Sequence, residues 1–138
     1  MKELLWAIKG MAAWLGGCLA YWLGGLDSLL TALLALIALD YLTGLLKGVC
    51  NKNLSSEIGF QGIAHKVLTL LVVALAFVIE TLVGLNFPLR EIVITFFIAN
   101  EGLSVLENVA EAGLPIPSVL RKLLLQLRNK NNGEDDEP

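Results

Sequence analysis

Four apolar runs, each near the ~20 residues a helix needs to cross ~30 Å of hydrocarbon, leave this chain few ways to fold. They extend from about Trp6 to Gly24, from Ser28 to Leu46, from Val67 to Gly84, and from Leu89, fading towards Ala112. Inside lipid, backbone N–H and C=O groups must be paired within a segment or in a closed barrel, and these runs lack the alternation of barrel strands. The expected fold is therefore all-α, an integral membrane protein of about four transmembrane helices. With 138 residues, 56% of them hydrophobic, the chain has length for one domain and an excess of apolar residues for a soluble one.

The connectors arrange these helices as two hairpins. Gly24-Gly25-Leu26-Asp27 and Asn86-Phe87-Pro88 are tight turns, and the polar stretch from Lys47 to Lys66 joins the pairs. Pro115 and Pro117, after Gly113, end the fourth helix. Ser118 to Arg128 reads as a short amphipathic helix with Leu120, Leu123, Leu124 and Leu127 on one side, and Asn129 onward as a disordered acidic tail. The division is a transmembrane domain, 1–112, and a cytoplasmic segment, 113–138. Nine of the ten Lys and Arg residues fall on one side of such a bundle, Arg90 being the exception, so both termini are expected in the cytoplasm. Lys9 interrupts the first run and further spans follow at once, so that run reads as an uncleaved anchor in spite of a signal-like start.

Few polar residues enter the spans, and each needs a reason to be there. Ala12, Gly16, Ala20 and Gly24 recur every fourth residue, a smooth stripe that packs either on the second segment or on another copy. Asp40 and Thr43 lie in the second segment with Lys47 at helical spacing; Asp40 either pairs with Lys47 near the interface or lines a polar assembly. In the fourth segment Asn100, Glu101, Ser104, Glu107, Asn108 and Glu111 arrive at three- and four-residue steps, opposite Leu103 and Leu106. Entering at Leu89, the helix carries Glu101 roughly 18 Å deep. That stripe must face a helix, a water-filled hole or the membrane surface. Glu80 reads as interfacial.

No catalytic set, metal site or cofactor motif emerges. His65 is the only histidine and has no Cys or His partner, Ser55-Ser56-Glu57 reads as a helix start, and no phosphate-binding glycine loop is present. Cys18 and Cys50 are placed as two reduced thiols. No basic face with interleaved aromatics supports nucleic-acid binding. The expected partners are the lipid bilayer and further copies of the chain. A second methionine, Met11, would as a start site remove Lys2 and Lys9 from the cytoplasmic flank.

Three ordered blocks carry a resemblance. Asp40-Tyr41-Leu42-Thr43-Gly44 resembles the Asp-x-x-Thr-Gly block of the phage lysis and toxin-secretion holins of Gram-positive bacteria. The stretch from Ser55 to Lys66 is similar to that family's loop of spaced glycines and closing lysine. Ala99-Asn100-Glu101-Gly102-Leu103-Ser104-Val105-Leu106-Glu107-Asn108 is similar to its most distinctive block, and Gly113-Leu114-Pro115-Ile116-Pro117 follows in the expected place. The resemblance spans about Asp27 to Leu127. It implies a holin that accumulates in the host cytoplasmic membrane, assembles and opens lesions through which an endolysin or a toxin escapes without required direct contact. Two other classes stay open on the residues: a small proton-coupled transporter using Asp40 or Glu101, and a regulator that binds a pore-former and opens nothing.

Overall fold

The computed structural model describes residues 1–84 and 86–132. Among them there are five helices and no strand: α1 (Lys2–Trp22), α2 (Ser28–Cys50), α3 (Ser56–Val83), α4 (Leu89–Glu111) and α5 (Ser118–Asn132). The first four are each long and apolar enough to cross a membrane. α5 extends past Arg128 to Asn132, so the segment expected to be unstructured from Asn129 starts as helix. The acidic residues Glu134 to Glu137 lie outside the described residues.

α3 begins well before Val67, and the polar stretch between the hairpins shrinks to residues 51–55. The Ser-Ser-Glu start is responsible. The Ser55 carbonyl accepts the Gly59 amide at 3.2 Å, and Glu57 places its charge in the first turn, where the helix dipole favours an anion. From there Phe60, Ile63, Val67 and Leu71 point outwards while Gly59, Gly62, Lys66 and Thr69 turn inwards. The polar residues of this stretch thus include the inner face of a helix.

α4 is the centre of the bundle. α2 packs on it most extensively, followed by α5 and then α3, whereas α2 and α3 touch little. Leu23, Leu30, Leu33, Val73 and Ile94 form the buried apolar cluster, with Phe97 and Ile98 packed against it. Many large apolar side chains, such as Leu42, Leu46, Phe60 and Leu71, are exposed, as lipid-facing residues of a spanning bundle should be.

α1 differs from the rest. None of its residues is buried, and a Cβ added at Gly16 or Gly17 would meet nothing within 4 Å. The turn that follows is tight, as expected, yet α1 and α2 are not a closely packed hairpin. Ala12 and Gly16 are exposed and Ala20 is half-buried, so the stripe is not consumed inside the chain. Gly24 does not belong to that stripe. α1 ends at Trp22, and Gly24 has φ +84°, a conformation that suits a residue without a Cβ. A Cβ there would come within 2.6 Å of Arg90 and 2.7 Å of Phe77.

Arg90 closes the end of the bundle opposite the α2–α3 loop. Its Nε donates to the Leu23 carbonyl at 2.5 Å, one terminal nitrogen to the Asp27 carboxylate at 2.6 Å, and the other to the Gly25 carbonyl at 2.9 Å. Its backbone N–H donates to Glu80 at 2.8 Å, which gives the interfacial Glu80 a definite task. Asp27 also caps α2 by accepting the Leu30 amide at 2.8 Å. Arg90 therefore ties the α1–α2 turn to the start of α4 through its buried guanidinium, and the end of α3 through its backbone N–H.

Arg90→Leu would strand the Leu23 carbonyl and the clasp on Asp27, and should cost about 1.5–3 kcal/mol. Arg90 holds the Asp27 carboxyl below the usual carboxylate range, helped by the Leu30 amide and opposed by burial. A carboxyl lowered in the folded state contributes stability above its unfolded value, and that contribution fades as pH falls through the folded one. Trp22 fluorescence in a detergent-solubilised acid titration should stay constant down to the usual carboxylate range and change only below it. Arg90→Leu should show its change at higher pH.

Candidate functional site

The polar residues of the spans converge on one layer. Lys66 of α3 donates to both Asp40 of α2 and Glu101 of α4, and all three side chains are largely buried. The Asn108 amide donates to the other oxygen of Asp40 at 2.9 Å, to the Asp40 carbonyl at 3.2 Å and to the Thr43 hydroxyl at 3.2 Å. Thr43 in turn donates to the Asp40 carbonyl at 3.0 Å. Lys66 joins α3 to α2 and to α4, and Asn108 joins α4 to α2, so the layer is the polar pin of these three helices.

Depth gives the layer its significance. Asp40 lies twelve residues into α2 and Glu101 twelve into α4, roughly 18 Å from the first residues of those helices. Lys66 is ten residues into α3 from the opposite side, about 15 Å. All three sit near mid-span, where one charged side chain costs on the order of 2.5–3.5 kcal/mol on insertion scales. Pairing offsets that cost when the bonds are well made. Two carboxylates facing one ammonium leave one negative charge uncompensated if all are ionised.

Asp40, Thr43, Glu101 and Asn108, picked out in the sequence, are thus brought together in a single copy. Asn100 and Ser104 are half-buried beside them, and Glu107 is exposed. The expected pairing of Asp40 with Lys47 is not made. Lys47 lies nearly two helical turns beyond Asp40 and instead meets Glu111 at 3.1 Å near the ends of α2 and α4. Two residues of consequence were not among the sequence candidates. Lys66 was counted with the cytoplasmic flank, although its spacing to Thr69 and Val73 sets it on the inward face of α3. Arg90, the lone basic residue of the tight turns, had its partners Asp27 and Glu80 at the same end of neighbouring spans.

A cavity of about 210 Å³ lies between the α2–α3 loop and this layer. Asp40, Lys66, Ser104 and Asn108 line it at one end, Lys47, Asn53 and Ser55 at the other. Its walls are smooth because Gly44, Gly48, Gly59 and Gly62 face it without side chains. Most of its wall is apolar, with Tyr41, Leu45 and Leu54 contributing, but it has several polar groups and is roomy enough for several waters.

Fold and site together define a multi-pass helical membrane protein with a few charged side chains held inside the bundle. A profile of the bacteriophage holin family matches residues 17–129. A "probable holin" of Bacillus phage phi105 is 36% identical, over 78% of this chain and 80% of its own length. An uncharacterized protein of Clostridium perfringens is 41% identical over 96% of this chain and 98% of its own. One of Listeria monocytogenes is 39% identical over 88% and 86%. The chain belongs to the bacteriophage holin family. No solved structure matches it.

Proposed function

We propose that this protein is a holin that assembles into non-selective lesions in the bacterial cytoplasmic membrane, releasing an endolysin or another protein for host lysis or secretion. The observation that carries this reading is the Asp40–Lys66–Glu101 layer. A wet lining needs polar groups at mid-depth, and a harmless single copy must keep those same groups paired; this layer supplies both. In this reading the protein catalyses nothing, and its direct partners are lipid and other copies of itself. Co-expression with a cytoplasmic muralytic enzyme tests it. Cells should lyse abruptly only when both are present, and lysis by the enzyme alone on the same schedule would contradict the reading.

In this reading both termini and the 51–55 loop face the cytoplasm. Lys66 no longer counts as a flanking charge, but Lys2, Lys9, Lys47, Lys52, Arg121, Lys122, Arg128 and Lys130 still outnumber Arg90. A cysteine at Asn53 should resist an impermeant thiol reagent in intact cells, and ready labelling there would reverse the orientation.

Self-association is assigned to α1, whose stripe has no partner within the chain. Leu at Gly16 and Ala20 would hold neighbouring backbones apart without reducing hydrophobicity. Crosslinked oligomers should fall severalfold at equal protein level, and an unchanged ladder would leave α1 as an anchor only. The cavity that reaches Asp40 favours a second reading, a proton-coupled transporter. Saturable, stoichiometric substrate exchange in place of general leakage would identify it.

A further inference from the structure

α5 does not lie across the end of the bundle; it folds back along α4. Leu124 sits on Gly102, where an added Cβ would be 3.1 and 3.2 Å from the two leucine methyls. Nearer the turn, Leu106 and Ala110 of α4 share a small cavity with Ile116 and with Arg121 of α5. Gly102 is nine residues from the end of α4 at Glu111, roughly 13 Å inside that end. Beyond Leu124 the helix continues through Arg128 and Lys130, which carries those cations about 6–9 Å further along α4.

This placement has an electrostatic consequence. Where α4 spans, the docked α5 runs from the end of the bundle to about mid-span and beyond at Arg128 and Lys130, and its outward face mixes Val119, Leu120 and Leu123 with Lys122. Basic residues at such depth are costly, and long side chains relieve only part of that cost by reaching for the interface. The membrane surface suits α5 better, since it could bury its leucines there and keep its cations in water. The face it would vacate suits another helix better still. Gly102 permits close backbone approach, which drives association in lipid, and a two-fold axis would bring the same patch of a second copy against it.

We infer that α5 is a displaceable cover, and that the face beneath it, Gly102, Leu103 and Leu106, binds α4 of a second copy once α5 leaves. The inference rests on the oligomeric-lesion reading and adds to it a second interface, beside that of α1, and what guards it.

The test pins the cover in place. Cys18 and Cys50 are both free, so they are replaced by Ser, and Gly102→Cys is combined with Leu124→Cys in the full chain in vesicles. An oxidant should close an intramolecular disulfide. Dimers trapped by an amine-reactive crosslinker should then fall severalfold and return on reduction. Failure of the disulfide to form overturns the docked position of α5, and a closed disulfide with undiminished dimers overturns its role as a cover. Leu124→Glu, in the otherwise natural chain, removes the methyl contact and should raise the dimer fraction; an unchanged or lower fraction also overturns the inference. Because dimers are read directly, their expected behaviour without any leakage would refute the lesion reading and leave the cover standing.

Discussion

Lys66→Met is expected to destabilise the bundle more than any other single substitution in the spans. It leaves Asp40 and Glu101 facing each other near mid-span with no cation between them. Removing one partner of a buried charge group costs about 3–5 kcal/mol, because the group left behind is both desolvated and unpaired. Accumulation in membranes should drop sharply, and the denaturant midpoint of any purified protein should fall. Adding Asp40→Asn and Glu101→Gln to Lys66→Met should restore most of both, since amides tolerate the site without charge. Normal accumulation of the single variant would mean that the layer does not pin the helices in the membrane.

Glu101→Leu should have the opposite character. It takes one of the two carboxyl groups out of the layer and leaves Lys66 paired one-to-one with Asp40, so the single copy should accumulate normally. What it takes away is a group needing a protein or water partner at mid-depth, and with it part of the reason for α4 to face a wet lining. Release should be lost or strongly delayed at equal protein level. The two variants separate two roles of one layer, since Lys66 holds the closed bundle together while Glu101 makes opening it worthwhile. Wild-type timing in Glu101→Leu would remove Glu101 from the lining.

Spans and tight turns were legible in the sequence because they depend on local quantities, the length of an apolar run and the backbone freedom of Gly and Pro. The start of α3 was hidden by its own inner face. Gly59, Gly62 and Lys66 look like a loop until their spacing is compared with that of Thr69 and Val73. The polar residues of α4 were visible as a stripe, but a stripe does not say what it faces; that required Lys66 from one helix and Asp40 from another. α5 was recognisable as amphipathic, and amphipathicity suits a membrane surface and a groove on α4 equally well. Gly102 was the only clue to the second, and a glycine within a helix does not name its partner.

The claim that this chain opens large, non-selective lesions is tested most directly by graded release from vesicles. Purified protein would be titrated into liposomes holding both a small dye and a folded protein of tens of kilodaltons, with oligomers monitored by crosslinking. Above a threshold density, dye and protein should escape together as higher oligomers appear, and Glu101→Leu should release neither. Retention of the protein cargo at densities where oligomers have formed, with only small ions or a saturable solute crossing, would contradict it.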